Sequence, residues 1–355
     1  MAKIPVTTKR GQKEWMDVRL QMKSETSDIV DLTIVIPVYN VENYVFEAVQ
    51  SVINLNPRPA QVVIINDGST DKSLDILNSE FAKYEFVEIH STKNNGLGVA
   101  RNIGTSFARC KYVYYFDSDD LLDPGLTAKF SMVLNETPDL ELFVFSAKSF
   151  YDSEISNTKD IRKLPDYARN MIARFNTGEE CFIALSKQKR FFPNAWMYIF
   201  KKSIIEDNEL KFKPIIHEDE DFTPQLFFKS KLTYVCNDKF FLRRIRMGSI
   251  MQSRFTEKNI IGYIESIYSQ GELFMYPGLE KDSRRLLLQR IRGNLINILA
   301  IKRSSNLTLS SKVNVQVTEL FDKYATVLEK IAVNNFIFYK IINIPIKALR
   351  KLTYR

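Results

Sequence analysis

The chain has 355 residues, which at roughly 100–200 residues per domain allows two or three domains. Its 45% hydrophobic and 26% charged residues are typical of a globular protein with a large core, and they exclude a small disulfide scaffold or a mainly disordered chain. The formal net charge of +8 suits a polyanion, an anionic membrane surface or a phosphate-bearing ligand without choosing among them. The three cysteines lie far apart, so we expect neither disulfides nor a zinc ribbon, and a reducing compartment is favoured.

The N-terminal residues 1–31 mix basic and acidic side chains and lack the apolar run of a signal peptide. No stretch of about 20 apolar residues occurs in the sequence, so no membrane-spanning helix is predicted. We therefore expect a cytoplasmic protein, either soluble or peripheral on the inner face of the cell membrane.

Residues 32–116 alternate between two patterns. Short β-branched apolar runs, typical of strands buried on both faces of a parallel sheet, predict strands at 32–38, 61–66, 86–90 and 112–116. Apolar residues at three-and-four spacing predict helices at 44–53, 71–81 and 97–108. This order indicates an α/β fold with an open, mostly parallel, Rossmann-like sheet and helices on both faces.

The alternation weakens after residues 143–145, and residues beyond about 256 predict helices with one apolar face across 286–298. We expect an N-terminal extension at 1–31 and an α/β domain at 32–250, with halves at 32–130 and 131–250. A helical domain at 251–333 and a basic amphipathic tail at 334–355 complete the prediction.

The tail region carries most of the positive excess. Residues 330–355 contain six lysines and arginines and no acid, interleaved with aromatic and aliphatic residues. This pattern is typical of a segment in the lipid headgroup layer, where each basic side chain contributes about 1 kcal/mol near anionic lipid. A helix packed on the helical domain is the alternative. Because the excess is concentrated here and no nucleic-acid-binding motif appears, no nucleic-acid partner is predicted.

Polar residues follow three of the predicted parallel strands, whose carboxyl ends meet at one edge of such a sheet and bind ligands there. Asp117 and Asp119 follow the fourth strand, and two buried, charged carboxylates this close need a counter-cation. Mg²⁺ or Mn²⁺ is the simplest answer, with an acidic turn as the alternative. Asp67 follows the second strand and can accept from a ribose hydroxyl or a base N–H, or simply build a turn. The glycine-rich loop before Arg101 suits a diphosphate, or is a loop with a surface arginine.

Four segments resemble, in order and spacing, the family 2 glycosyltransferases of GT-A fold: residues 36–42 (IPVYNVE), 67–71 (DGSTD), 94–104 (NNGLGVARNIG) and 116–120 (FDSDD). The resemblance implies an inverting, metal-dependent transferase with a UDP-sugar as donor and Mn²⁺ or Mg²⁺ as cofactor. The residues it implies for the uracil and ribose are Pro37, Tyr39, Glu42 and Asp67. Those it implies near the ribose, the diphosphate and the metal are Asn94, Arg101, Asp117, Ser118 and Asp119.

Residues 217–221 (HEDED) resemble the family's Glu-Asp element at the start of an acceptor-side helix. An inverting transfer needs a carboxylate that takes the proton from the attacking hydroxyl. We assign this role to Asp219, with Glu218 as the nearest competitor; an acidic helix N-terminus stabilised by the helix dipole is the alternative. His217 is a candidate ligand of the metal or of the product diphosphate, although a single histidine is more often structural.

Residues 243–250 (RRIRMGSI) resemble a family loop in which a basic residue and a hydroxyl close over the diphosphate. This resemblance assigns Arg246 and Ser249 to the leaving group, with a solvated basic strand end as the alternative. Trp196 matches an aromatic position of the family and either stacks on a sugar or packs in the core.

Together these features predict transfer of a sugar from a nucleoside diphosphate sugar to a saccharide or lipid-linked acceptor, in cell-surface polysaccharide synthesis. The sequence has no Gln-x-x-Arg-Trp element and no predicted spanning helix, which favours a single addition over polymer extrusion. Two other classes stay open. One is a sugar-phosphate nucleotidyltransferase, although Tyr39 and Asn40 stand where it would carry a Lys or Arg; the other is a basic nucleic-acid-binding protein.

Overall fold

The computed structural model describes residues 3–7, 13–17, 28–152, 164–246 and 254–334. A hairpin at the N-terminus pairs β1 (Lys3–Thr7) with β2 (Lys13–Asp17). The chain then alternates through β3 (Ile29–Val38), α1 (Val45–Ile53), β4 (Arg58–Asp67), α2 (Ser73–Glu80), β5 (Val87–Thr92), α3 (Leu97–Ser106), β6 (Tyr112–Tyr115), β7 (Leu121–Leu122) and α4 (Leu126–Glu136). The predicted order of strands and helices between 32 and 116 is confirmed.

The second half adds strands to the same sheet and ends in helices. Its elements are β8 (Leu142–Tyr151), β9 (Asp166–Tyr167), β10 (Ala173–Phe175), α5 (Gly178–Lys187), β11 (Tyr198–Lys201), α6 (Ser203–Asp207), α7 (Glu218–Lys229) and β12 (Thr233–Ile245). The C-terminal helices are α8 (Glu257–Met275), α9 (Lys281–Ser304), α10 (Ser311–Tyr324) and α11 (Val327–Asn334). The helices expected beyond about residue 256 are therefore present.

Ten strands form one sheet, whose main order is β10-β12-β8-β11-β6-β3-β4-β5. Strand β3 pairs in parallel with β4 and β6, and β4 pairs in parallel with β5. Strand β11 is antiparallel to both β6 and β8 and joins the two halves of the sheet. The carboxyl ends of β3, β4 and β6 therefore lie side by side at one edge.

Alternation along β3 places its side chains in separate cores on the two faces of the sheet. Ile34 and Ile36 pack in the core that includes Val49 of α1, whereas Val35 packs on the opposite face with Ala100 of α3. Helix α3 lies very close to this second face, because a Cβ added at Gly104 would stand 2.2 Å from Val35 Cγ1. A third core joins helices α8, α9 and α10.

Among the helices that the structure describes, none combines the length and apolar character needed to cross a bilayer. The predicted basic tail lies outside the described residues beyond Asn334, so its contact with a membrane stays a prediction.

Candidate active site

The loops after β3 and β4 are tied together by hydrogen bonds. Asn40, with a left-handed backbone (φ 50°), accepts from the Thr70 N–H at 2.8 Å. The Glu42 N–H donates to Asp71 at 2.9 Å, while the Glu42 carboxylate accepts from the Lys72 N–H at 2.9 Å. These bonds fix the backbone on either side of Val41, and they leave the Tyr39 ring half exposed (49%) at the strand end.

Asp67 joins the second strand end to the glycine-rich loop. One carboxylate oxygen of Asp67 accepts from the Asn95 N–H and the other from the Gly96 N–H, each at 2.9 Å. The turn needs glycine at position 68, where φ is +75° and a Cβ would stand 2.8 Å from the Asn94 nitrogen. Asp67 thus positions the loop that carries the exposed Asn94.

Arg101 bridges the two halves of the α/β domain. Its guanidinium donates to Asp117 Oδ1 at 2.9 Å, at the end of β6, and to Glu218 Oε1 at 2.7 Å, at the start of α7. The side chain is only 2% exposed and lies over the Phe212 ring. Both ends of the guanidinium are thus paired with carboxylates. The contact of Arg101 with a diphosphate stays a prediction.

The acids after β6 accumulate negative charge. Burial raises the pKa of Asp117 above its ordinary value, and Asp119 raises it further, although Arg101 opposes the shift. Burial also raises the pKa of Asp120, with Asp119 and Asp117 adding to the effect. Asp119 itself accepts from Arg246 Nε at 2.8 Å. Ser118 and Asp120 are buried, whereas Asp117 and Asp119 are partly exposed.

The turn before α7 holds His217 in a strained conformation. Its backbone is left-handed (φ 68°), and its ring stacks on Tyr263 with 4.2 Å between centroids. Burial lowers the pKa of His217, which favours the neutral imidazole that binds metals. Its Nε2 is buried and has no hydrogen-bond partner within the described residues.

Asp219 differs from the acids on either side of it. Its side chain accepts from the Glu220 N–H at 2.9 Å, whereas Glu218 is paired with Arg101 and Glu220 with Arg290. Burial raises the pKa of Asp219 well above its ordinary value, and the negative charges of Glu218 and Glu220 raise it further. Asp219 is therefore a carboxylate with an increased affinity for a proton.

Several partners of α7 were not predicted from the sequence. Lys213 donates to Asp221 at 3.1 Å and to Ser269 at 3.0 Å, and Ser269 Oγ donates to Asp221 at 2.5 Å. Arg290 comes from α9, 70 residues after its partner Glu220. No local pattern identifies such pairs, because their members lie far apart in the chain.

Two candidates from the sequence, Trp196 and Ser249, remain to be placed. Trp196 is 6% exposed and stacks on Phe241 at 4.1 Å between centroids, which supports core packing over stacking on a sugar. Ser249 lies outside the described residues, so its predicted contact with the diphosphate stays a prediction.

The acidic edge fits a divalent cation in charge and in donor type. Asp117 and Asp119 supply oxygen ligands of the kind that Mg²⁺ and Mn²⁺ prefer. Within the described residues, no three His, Cys, Asp or Glu side chains form a complete cage.

The predicted sheet is mostly parallel, whereas the observed one is mixed, because β11 and the short strands β7, β9 and β10 pair antiparallel. An Asp-Ser-Asp segment after a parallel strand and a Glu-Asp pair opening a helix are the features expected of a GT-A fold. The family described as Glycosyl transferase family 2 matches residues 33–197. This match covers just under half of the chain, and together with the fold it makes the chain similar to the family 2 glycosyltransferases of GT-A fold.

Two curated relatives and two solved structures illustrate the likeness. A cholesterol galactosyltransferase of Borreliella burgdorferi is 27% identical over 232 residues, 62% of each chain. A poly(ribitol-phosphate) beta-glucosyltransferase of Bacillus spizizenii is 28% identical over 300 residues, 82% of this chain and 43% of the relative. The chain thus spans less than two thirds of the length of these relatives.

Among solved structures, S. aureus TarS 1-349 in complex with UDP-GlcNAc has a TM-score of 0.63 at 19% identity, covering 82% of this chain and 80% of that one. A mannosyltransferase of Pyrobaculum calidifontis in complex with GDP-Man and Mn²⁺ has a TM-score of 0.52 at 11% identity, covering 88% and 87%. At these identities the likeness shows the fold.

Proposed function

We propose that the chain is an inverting glycosyltransferase that transfers a sugar from a UDP-sugar to a saccharide or lipid-linked acceptor in cell-surface polysaccharide synthesis. The match of residues 33–197 to the family supports glycosyl transfer over the nucleotidyltransferase and nucleic-acid-binding alternatives. The names of relatives that act on poly(ribitol-phosphate) or take part in minor teichoic acid biosynthesis support a cell-surface polymer. The UDP-GlcNAc bound to TarS supports a uridine donor.

The donor would bind at the edge formed by β3, β4 and β6. The half-exposed Tyr39 ring offers a surface for the uracil. Asp67 would act mainly by holding the loop of Asn94, because both its carboxylate oxygens already accept backbone N–H groups. Pro37 and Glu42 would shape the same pocket through the loop after β3.

Asp117 and Asp119 would hold the divalent cation. The structure does not group His217 with them, so His217, whose buried Nε2 lacks a partner within the described residues, is the candidate for the product diphosphate. When bound, Mn²⁺ or Mg²⁺ would neutralise the negative charge that develops on the departing diphosphate. Arg246 lies beside Asp119 and would add a second positive charge toward that group.

The single observation that carries the mechanism is the different bonding of Glu218 and Asp219. Glu218 is held by Arg101 at 2.7 Å, whereas Asp219 accepts only from the adjacent Glu220 N–H within the described residues. A general base needs a carboxylate that can take a proton, so Asp219 is the better base and Glu218 the residue that ties α7 to the donor half.

The proposal is tested by screening nucleotide sugars for transfer and donor hydrolysis with Mn²⁺. We expect activity with a UDP-sugar and its loss on adding EDTA; activity with only another nucleotide would contradict the uridine donor. Asp219→Asn should retain UDP binding, measured by calorimetry, and lose about 10²–10⁴-fold in transfer, the usual contribution of a general acid or base. Near-normal transfer by Asp219→Asn together with inactive Glu218→Gln would move the base to Glu218.

Membrane attachment is a separate part of the proposal. Residues 334–355 would hold the enzyme at the inner face of the cell membrane, near a lipid-linked acceptor. Deletion of this segment should reduce sedimentation of the protein with anionic vesicles, and unchanged sedimentation would contradict the attachment.

A further inference from the structure

We propose that Tyr167 and Phe192 form a subsite for a sugar ring of the acceptor, and that Arg243 orients the Tyr167 hydroxyl toward that ring; this inference rests on the proposed function. Tyr167 lies in β9, and Phe192 lies in the segment between α5 and β11. Both side chains are partly exposed and pack against the edge of the core that contains Trp196. We call this pair of rings the aromatic corner. Neither ring belongs to the donor edge formed by β3, β4 and β6.

The rings of the aromatic corner are held by other aromatic side chains. Tyr167 contacts Phe192 edge-on, with centroids 5.5 Å apart and planes at 75°. It makes a second edge-on contact with Trp196 at 5.2 Å, and Trp196 is itself stacked on Phe241. A rigid, partly exposed aromatic surface of this kind suits the C–H groups of a sugar ring.

The Tyr167 hydroxyl is held by Arg243 of β12. Arg243 Nη1 donates to this hydroxyl at 2.6 Å, and the guanidinium lies over the Tyr167 ring at 5.5 Å. A phenol has one O–H donor besides its acceptor lone pairs, and no acceptor for that proton occurs in the part of the chain that the structure describes. Because the hydroxyl accepts from a cation, it becomes a stronger donor. A hydroxyl oxygen of a sugar is a suitable acceptor for it.

Contacts of α7 bring the aromatic corner close to the candidate base. Asp219 and Thr223 are four residues apart, so they lie on one face of α7. Thr223 Oγ1 donates at 2.9 Å to the carbonyl oxygen of Pro193, the residue directly after Phe192. The Phe192 side of the aromatic corner therefore lies against the face of α7 that carries Asp219.

The charges around Tyr167 agree with this position. Burial raises the pKa of Tyr167 above its ordinary value, and the positive charge of Arg243 opposes the rise. The negative charges of Asp120 and Asp219 raise this pKa further. Charges are largely screened beyond roughly 10 Å at 0.1 M ionic strength, so both acids lie near the hydroxyl. The Arg244 N–H also donates to Asp120 at 2.5 Å, which places β12 against the acids after β6. A sugar ring at the aromatic corner is therefore near both the proposed cation ligands and the base, as an acceptor must be.

The test measures binding of simple glycosides to the full-length protein in the presence of UDP and Mg²⁺. The probes are the methyl β-glycosides of glucose, galactose, N-acetylglucosamine and N-acetylgalactosamine, and titrations followed by saturation-transfer NMR give their dissociation constants. Calorimetry on the same samples measures UDP binding. We expect the wild-type protein to bind at least one of the four glycosides.

Tyr167→Phe and Tyr198→Phe form a matched pair, because each removes one hydroxyl from a tyrosine of the acceptor half. Tyr198 is fully buried, and its hydroxyl bonds to Thr223 at 2.8 Å inside the protein. We expect Tyr167→Phe to weaken glycoside binding about fivefold, the effect of losing one hydrogen bond, while the ring and its aromatic contacts remain. Tyr198→Phe should change the binding less than about twofold, because a hydroxyl bonded inside the core does not reach a ligand.

Arg243 is a positioning residue that acts through Tyr167, so its role is tested by combining substitutions. Arg243→Met should weaken glycoside binding about two- to threefold, and it should weaken it no further when Tyr167→Phe is already present. Arg243→Lys keeps a donor for the hydroxyl and should restore most of the loss. Equal effects of Arg243→Met in both backgrounds would show that Arg243 does not orient the hydroxyl.

The same samples separate the failure of this inference from the failure of the proposed function. If UDP binds but no glycoside does, or if Tyr167→Phe binds glycosides as well as the wild type, the aromatic corner is not an acceptor subsite. The same conclusion follows if Tyr167→Phe and Tyr198→Phe weaken binding alike. If the wild-type protein does not bind UDP, the proposed function itself is wrong.

Discussion

Gly262 of α8 packs directly against the turn that precedes the candidate base. A Cβ added at Gly262 would stand 1.8 Å from the Ile216 carbonyl oxygen, although real Cβ atoms do not come within 3.0 Å of such an atom. Gly262→Ala therefore requires α8 and the turn to separate by about 1.2 Å. Both contacting groups are backbone, so neither can rotate away.

We expect Gly262→Ala to lower the free energy of unfolding by at least the roughly 1–3 kcal/mol typical of overpacking. The displaced turn carries His217 and leads directly into Glu218 and Asp219, so transfer should fall even where the protein remains folded. Urea denaturation followed by circular dichroism measures the first effect. Transfer assays well below the denaturation midpoint measure the second.

Gly293→Ala is the control, because Gly293 lies in α9 with nothing within 4 Å of the added Cβ. That substitution should stabilise the helix by about 0.5–1 kcal/mol, the difference between glycine and alanine in a helix interior. The reasoning is refuted if Gly262→Ala is as stable and active as the wild type. It is also refuted if both substitutions destabilise equally, since the close contact would then not be the cause.

Two further predictions concern the charges of the site. Arg246→Met should tighten Mn²⁺ binding several-fold in the absence of nucleotide, because it releases the Asp119 carboxylate from its ion pair. Electron paramagnetic resonance measures the bound Mn²⁺. Weaker binding would show that Arg246 does not compete with the cation. Glu220→Gln should shift the acidic limb of the pH–rate profile to lower pH, because Glu220 raises the pKa of Asp219 and a general base must be deprotonated to act. An unchanged limb, or one that moves to higher pH, would remove Asp219 from the base role.

The first half of the sheet can be predicted because each of its strands is recognisable from its own short stretch of sequence. Strands β3, β4 and β6 are buried on both faces, so each is a continuous apolar run, and glycine at position 68 marks the turn after β4. Parallel pairing then brings Asp67 and Asp117 to one edge without further information.

The second half is less predictable because its order depends on distant contacts. Strand β12 is interrupted by three exposed residues at 237–239 and pairs with β8 through shifts in register, so its sequence shows neither clean alternation nor an unbroken apolar run. Arg101 likewise depends on a contact that is distant in the chain. Its glycine-rich neighbourhood indicates an anion, but its partner Glu218 lies 117 residues away and cannot be identified from local sequence.

The four consecutive acids that open α7 differ in their bonding partners. A helix N-terminus stabilises negative charge, but four carboxylates in one turn also repel each other. Three of them are held by different elements: Glu218 by Arg101 of α3, Glu220 by Arg290 of α9, and Asp221 by Ser269 of α8. These partners fix the orientation of the turn from three sides. Burial raises the pKa of Asp219, and the negative charges of Glu218 and Glu220 raise it further. A raised pKa favours uptake of a proton, which is the property that the proposed transfer requires of its base.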